Sequence, residues 1–192
     1  SIVVTENGQH IMITKGAVDN VLSVCTKAEN TNNEILVIDD AIKKSIQKQY
    51  ESFSEQGFRT IAVCYKDVSD DPVINKDDET QMIFLGFLVL SDSPKKGIIE
   101  SINLLKETGI ALKIITGDNH LVAKHLALQI GLNAETVISG KDLETRTDDA
   151  LRMNVKRADV FAEVVPEQKE RIVKAFQQTG HAVGYLGDGI ND

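Results

Sequence analysis

The sequence has 192 residues, of which 42% are hydrophobic and 26% charged, a composition typical of a soluble globular chain of one or two domains. Its 21 basic and 29 acidic residues give a net charge of −8, which argues against nucleic acid as a partner because phosphate backbones attract clustered lysine and arginine. The longest apolar run, Met82 to Leu90, is far shorter than the ~20 residues that a membrane-spanning helix needs.

The first half of the chain predicts locally paired strands with helices between them, an α+β arrangement. Asn7-Gly8 between two β-rich runs predicts a tight hairpin, and Gly57 is expected to end a long amphipathic helix. The predicted elements are a hairpin over 2–14, helices over 16–25 and 40–56, a buried strand over 60–65 and an acidic loop over 67–80. The two isolated cysteines, Cys25 and Cys64, are expected to be buried thiols.

Beyond Leu90 strands and helices alternate strictly, which predicts a parallel, doubly wound α/β sheet. We place the boundary between the two patterns at 91–94. The predicted helices cover 95–108, 119–130, 148–157 and 166–178, and the predicted strands cover 111–115, 137–138, 159–162 and 182–186. Helical spacing predicts two buried faces, one of Ile98, Ile102 and Leu105, the other of Val122, Leu126 and Ile130.

Two polar, glycine-containing loops follow predicted strands of the second region, where ligands bind in open α/β sheets. Thr116-Gly117-Asp118-Asn119 offers a hydroxyl and backbone N–H groups at the start of a helix, which suits a phosphate. The segment from Gly187 to Asp192 offers the side-chain oxygens of Asp188, Asn191 and Asp192, which suit Mg²⁺.

Each of these residues also has a purely structural interpretation. Thr116 and Asn119 are common helix caps, and Asp-Gly is common turn chemistry. Lys169, in the first turn of its helix, is either a phosphate counter-charge or a solvated lysine. Lys15-Gly16 and Arg59 beside predicted strands are either ligand contacts or ordinary surface charges.

Six segments, taken in this order, resemble the cytosolic part of a P-type cation-transporting ATPase over the whole chain. They are KGAVD at Lys15, GFR at Gly57, DSPK at Asp92, TGDN at Thr116, FAEVVPEQK at Phe161 and GDGIND at Gly187. The KGAVDNVLSVC and KDLETRTDDAL segments are most similar to the bacterial magnesium-transporting branch of this family.

The resemblance implies two partial domains: a nucleotide-binding domain over 1–91, and a phosphorylation domain with a haloacid-dehalogenase-like Rossmann fold over 92–192. It implies ATP and Mg²⁺ as cofactors and a transported divalent cation as the partner of the complete pump. The implied roles are as follows: Lys15, Gly16 and Arg59 contact ATP; Asp188 binds Mg²⁺; and Thr116, Gly117, Asp118, Lys169, Asn191 and Asp192 form the catalytic site.

The chain departs from the family pattern in ways that change the expectation. Glu163 stands where the family usually has arginine, so it is assigned no role, and no DKTGT motif with its phosphorylated aspartate occurs. We therefore expect an internal piece of a pump from the cytoplasmic side of the cell membrane, inactive alone and attached to the membrane only through helices it lacks. An exposed sheet edge predicts some self-association.

Two alternatives from other functional classes remain. A soluble haloacid-dehalogenase-like phosphatase requires a nucleophilic aspartate in a D-x-D-x-[TV] segment, which the sequence lacks. A catalytically silent nucleotide-binding or interaction module requires no nucleophile at all.

Overall fold

The chain folds into two compact units, described here from a computed structural model covering residues 1–6, 8–68 and 74–187. The first unit comprises Ser1–Ser54 and Phe58–Ser91, and the second comprises Glu55–Gly57 and Asp92–Asp192. No helix within the described ranges has the length and hydropathy needed to cross a membrane.

The first unit is built on a six-stranded mixed sheet. Its strands are β1 (Ile2–Glu6), β2 (Gln9–Gly16), β3 (Cys25–Glu29), β4 (Ile35–Val37), β5 (Arg59–Val68) and β6 (Met82–Leu90). Their order is β1-β2-β5-β6-β3-β4, and every neighbouring pair is antiparallel except β3 with β6. The predicted hairpin is confirmed, since Ile2 pairs with Ile13 across β1 and β2.

Two helices, α1 (Val18–Val24) and α2 (Asp40–Glu55), pack on one face of this sheet. The predicted helix over 40–56 is confirmed within one residue. The predicted helix over 16–25 is shorter than expected, because Cys25 already belongs to β3. The shared core comprises Met12, Val18, Val21, Ala28, Ile46, Ala62, Cys64, Met82 and Phe84.

The opposite face of the sheet carries partly exposed apolar side chains. Ile61 and Val63 alternate along β5 with the fully buried Ala62 and Cys64, so they point away from the helices. Leu88, which pairs with Ile61, is 50% exposed. Two of the ligand contacts predicted from the sequence, Lys15 and Arg59, belong to strands of this sheet.

The second unit contains a three-stranded parallel sheet with helices between its strands, so the predicted parallel alternation is confirmed. The strands β7 (Ile114–Ile115), β8 (Val137–Ser139) and β9 (Val160–Ala162) lie in the order β7-β9-β8. The helices are α3 (Ile98–Glu107), α4 (His120–Gln129), α5 (Gly140–Thr145), α6 (Asp148–Asn154) and α7 (Pro166–Gln178).

Four expectations about this unit were wrong in detail. The predicted strand over 111–115 is observed only at Ile114–Ile115. The segment 182–186 forms no strand, because it hydrogen-bonds to no neighbouring strand within residues 74–187. Leu186 in this segment is 98% exposed. In α4 the most buried residues are Ala123 and Ala127 rather than Val122 and Leu126, because the small alanines allow close packing against the sheet. Ile98 at the start of α3 is 36% exposed.

Candidate functional site

Two loops and the first residue of α5 meet at one edge of the parallel sheet in the second unit. Thr116 follows β7, Glu163 follows β9 and Gly140 follows β8. Because the three strands are parallel and adjacent, their carboxyl ends lie at the same edge, which is where ligands bind in sheets of this kind. We call this region the carboxyl-edge site.

The turn after β7 is closed by its own side chains. The Thr116 hydroxyl donates to Asp118 Oδ2 at 2.9 Å, and the Asp118 backbone N–H donates to Thr116 Oγ1 at 3.1 Å. Asn119 caps α4, since its Oδ1 accepts from the Leu121 N–H at 2.8 Å. The capping interpretation is therefore confirmed for Asn119, whereas Thr116 and Asp118 turn toward each other.

Main-chain hydrogen bonds join this turn to the loop after β9. The Thr116 N–H donates to the Phe161 carbonyl at 2.9 Å, and the Val164 N–H donates to the Thr116 carbonyl at 3.0 Å. The Glu163 N–H donates to the Asp118 carbonyl at 2.9 Å. These hydrogen bonds hold the TGDN segment against the FAEVVPEQK segment, although Glu163 comes 45 positions after Asp118 in the sequence.

Glu163 has a structural function that the sequence did not reveal. Its backbone adopts the left-handed conformation with φ 57°. Its Oε1 accepts from the His120 backbone N–H at 3.2 Å and lies 3.0 Å from His120 Nδ1. Glu163 places its carboxylate beside His120, the first residue of α4, where a negative charge interacts favourably with the helix dipole. Glu163 therefore stabilises the amino-terminal end of this helix.

The start of α5 packs against the loop after β9 through Gly140, a glycine that the sequence did not single out. A Cβ built on Gly140 would lie 2.2 Å from the Glu163 carbonyl oxygen and 2.8 Å from Gln168 Oε1. Gln168 also donates through Nε2 to the Gly140 carbonyl at 2.9 Å and accepts from the Val165 N–H at 3.2 Å. The only local signal was the Ser139-to-Asp142 spacing of a helix cap.

The remaining residues predicted for this site are placed as follows. Gly117 lies beside the second loop, since its Cβ position is 3.6 Å from the Val164 carbonyl oxygen. Lys169 is partly buried in the first turn of α7, where its N–H reaches the Val165 carbonyl at 3.3 Å. Asp188, Asn191 and Asp192 lie outside the described residues.

In the first unit the predicted ATP contacts share the sheet face that lies opposite the helices. Lys15 pairs with Val63 across β2 and β5, and Arg59 lies four residues before Val63 on the same strand. Because side chains alternate along a strand, Lys15, Ile61 and Arg59 point to one side. Gly16 pairs with Ala62, and a Cβ built on Gly16 would lie 3.5 Å from Val21 on the core side of the sheet.

Tyr65 extends this face with a neutral polar group. Its hydroxyl donates to Glu29 Oε2 at 2.6 Å, and this hydrogen bond raises the pKa of Tyr65 to about 12. The face therefore combines two cationic side chains with an apolar strip and a phenol that stays protonated at physiological pH.

No group of three or more His, Cys, Asp or Glu side chains in residues 1–6, 8–68 and 74–187 is arranged to hold a metal ion. At the carboxyl-edge site, the Thr116 hydroxyl and the Asp118 carboxylate provide side-chain oxygen atoms that lie close to each other. Oxygen atoms of this kind are the ligands that Mg²⁺ prefers.

We expect Ser139→Ala to lower the free energy of unfolding of the second unit by about 1 kcal/mol at neutral pH, because it removes the hydroxyl that caps α5. Hydrogen bonds from the Ser139 backbone and hydroxyl lower the pKa of Asp142, so this stabilisation is present above the ordinary carboxyl pKa of about 4 and declines as the pH falls through the lowered value. Chemical denaturation at a series of pH values from about 2 to about 7 measures it. A Ser139→Ala effect that grows toward acid pH would contradict this assignment.

Comparison with known proteins agrees with the motifs placed above. A model of the family described as P-type ATPase, cytoplasmic domain N matches residues 1–97. The chain is 38% identical over its whole length to the "Magnesium-transporting ATPase, P-type 1" of Escherichia coli K12, and 33% identical over 96% of its length to the "Calcium-transporting ATPase 1" of Lactococcus lactis. It spans only about a fifth of the length of these relatives, 22% and 21% respectively. The chain belongs to the P-type ATPase family.

Proposed function

We propose that this chain is the cytosolic catalytic part of an ATP-driven cation pump and that Mg²⁺ is the transported ion. The resemblance to magnesium-transporting relatives over the whole chain supports the choice of ion. We assign residues 1–91 to a nucleotide-binding domain and 92–192 to a phosphorylation domain of haloacid-dehalogenase-like fold. The parallel sheet and its carboxyl-edge loops support the second assignment.

We infer that ATP binds on the uncovered sheet face of the first unit. Lys15 and Arg59 lie on that face, and the apolar side chains of Ile61 and Val63 lie between them. The two cations suit the phosphates of a nucleotide, and the apolar side chains suit its base. This arrangement is the observation that carries the proposed nucleotide binding. We include Gly16 in the proposed site as the backbone neighbour of Lys15, while its own Cβ position faces the core near Val21.

At the carboxyl-edge site, we propose that Thr116, Gly117 and Asp118 position the transferred phosphoryl group and that Lys169 offsets its charge. The hydrogen-bonded turn at Thr116 supports this, because phosphoryl transfer depends mainly on positioning and charge neutralisation. Asn191 would assist there, Asp192 would support its loop, and Asp188 would hold Mg²⁺, which when bound neutralises phosphate charge.

In the complete pump an aspartyl-phosphate would form on the aspartate of a DKTGT segment. The sequence of this chain contains no such segment, so we expect it to bind ATP without turning it over. We place the pump in the cell membrane with this part on the cytoplasmic side. The exposed apolar side chains of Ile35, Val37 and Leu88 support self-association of the chain on its own.

Titration calorimetry of the 192-residue chain with ATP tests the nucleotide site. We expect Lys15→Ala and Arg59→Ala each to weaken ATP binding by about tenfold or more, because each removes a cation that faces the phosphates. Lys43→Ala is the matched control: Lys43 is an exposed lysine on α2, which packs against the other face of the sheet. Equal ATP affinity in all four proteins, or an equal loss in the Lys43 variant, would contradict the proposed site.

A further inference from the structure

Main-chain hydrogen bonds connect the two segments of the carboxyl-edge site that carry Thr116 and Lys169. The Val164 N–H donates to the Thr116 carbonyl at 3.0 Å. The next residue, Val165, accepts the Lys169 N–H on its carbonyl at 3.3 Å. These two valines therefore set where the first turn of α7 lies relative to the turn after β7.

The side chain of Gln168 holds Val165 from the side of the helix. Its Oε1 accepts from the Val165 backbone N–H at 3.2 Å. The Gln168 backbone N–H donates to the Val165 carbonyl at 3.0 Å, and this is the same carbonyl that receives the N–H of Lys169. Both main-chain polar groups of Val165 are thus bonded to the first turn of α7, and one of these bonds depends on the Gln168 side chain.

The other end of the same side chain reaches the start of α5. Gln168 Nε2 donates to the Gly140 carbonyl at 2.9 Å, across 28 positions of the sequence. Gly140 is buried, and a Cβ built on it would lie 2.8 Å from Gln168 Oε1. The two helices approach this closely because position 140 has no side chain, and the Gln168 amide joins them.

The use of both ends of this amide goes beyond what a helix cap requires. Capping needs only an acceptor at the third helical position, which a glutamate also supplies. A glutamate at position 168 would have no N–H to donate to Gly140 and would add a negative charge next to Lys169. A neutral amide is therefore the group that anchors the first turn of α7 without reducing the local positive charge.

We propose that Gln168 is a positioning residue of the phosphoryl site: by bonding to Val165 and Gly140 it fixes the backbone of Lys169 relative to Thr116. The inference rests on the phosphoryl site proposed above. Without the amide, the first turn of α7 gains freedom to move, so the Lys169 ammonium is held less accurately against the phosphate.

The test is a titration of the 192-residue chain with inorganic phosphate at a fixed Mg²⁺ concentration, followed by the amide chemical shifts of Gly117 and Lys169. We expect Gln168→Met, which keeps the length of the side chain but not its hydrogen bonds, to weaken phosphate binding by about fivefold. Thr147→Ala is the matched control for lost stability, because it removes the hydroxyl that caps α6. It should leave phosphate affinity unchanged.

A double variant separates positioning from a general loss of stability. In the Lys169→Ala background, Gln168→Met should weaken phosphate binding by no more than about twofold, because the residue through which Gln168 acts is gone. Thermal unfolding without phosphate verifies that every variant is folded at the titration temperature.

Three results would overturn the role of Gln168 alone: parent affinity in Gln168→Met, the full loss in the Lys169→Ala background, or an equal loss in Thr147→Ala. A parent chain that binds no phosphate, or a Lys169→Ala variant that binds it as tightly as the parent, would refute the phosphoryl site itself and the role of Gln168 with it.

Discussion

Gly140→Ala should destabilise the second unit by about 3 kcal/mol, the upper part of the range for overpacking. The new methyl group would lie 2.2 Å from the Glu163 carbonyl oxygen, far inside van der Waals contact, and the obstacle is backbone rather than a flexible side chain. Relief requires moving the loop after β9, which is hydrogen-bonded to Asp118 and Thr116. Denaturant unfolding of the parent and variant chains measures the loss.

The same substitution at Gly184 is the matched control, because nothing lies within 4 Å of the Cβ position there. Gly184→Ala should change the free energy of unfolding by less than about 1 kcal/mol, mainly through the unfolded chain. We also expect amide chemical shifts to move at Thr116 and Asp118 in Gly140→Ala and to stay unchanged in Gly184→Ala. A Gly140 variant as stable as the parent would show that the two loops are not in contact.

Arg171→Ala should lower the free energy of unfolding of the second unit by about 2–4 kcal/mol, because it removes the hydrogen bonds that join α7 to α5, to the first residue of α6 and to the segment between them. Its Nε donates to Asp148 Oδ1 at 2.7 Å, and its two terminal nitrogens donate to the Leu143 and Arg146 carbonyls. The side chain is only 29% exposed, so the main-chain acceptors that it leaves behind have limited access to water. Thermal and denaturant unfolding measure the change.

Two variants separate geometry from charge in this contact. Arg171→Lys keeps the charge but loses the planar fork, so we expect it to recover less than half of the loss. Arg152→Ala removes an exposed ion pair with Asp149 and should cost no more than about 0.5 kcal/mol. If Arg152→Ala were as damaging as Arg171→Ala, the tie at Arg171 would have no special structural weight.

Local signals predicted the elements whose ends are marked by their own residues. The helix from Pro166 to Gln178 has the bounds expected from proline at its first position. The hairpin at the amino terminus likewise follows from Asn7-Gly8, although Asn7 itself lies outside the described residues. In these segments the chain positions that decide the structure are close together in sequence.

The predictions that were wrong concern structure that depends on residues far away along the chain. The run 182–186 is as apolar as a buried strand, but a strand also requires a neighbour, and no periodicity within five residues reports whether one exists. In α4 the spacing identified a helix correctly and its buried face incorrectly, because a close approach to the sheet favours alanine over larger side chains.

The candidate site likewise contains residues that local motifs identified and residues whose role depends on distant parts of the chain. The motifs that carry the resemblance include Thr116 and Asp118, and the structure joins these two residues by mutual hydrogen bonds. The sequence did not single out Gly140, because the glycine is required by its close approach to Glu163, 23 positions later. The sequence identified Glu163 only as an acidic residue where the family usually has arginine. A close approach between two loops has no pattern of its own in a single sequence.

The single parallel pairing in the first unit, between β3 and β6, has a consequence for how that unit opens. Cys25 and Met82 are 57 positions apart, whereas β4 is attached to the sheet only through β3. Long-range pairings of this kind carry a high loop-closure cost and form late in folding. We therefore expect the amide protons of β3 and β4 to exchange with solvent before those of β1, β2, β5 and β6, since within the described residues β3 joins these strands through its pairing with β6.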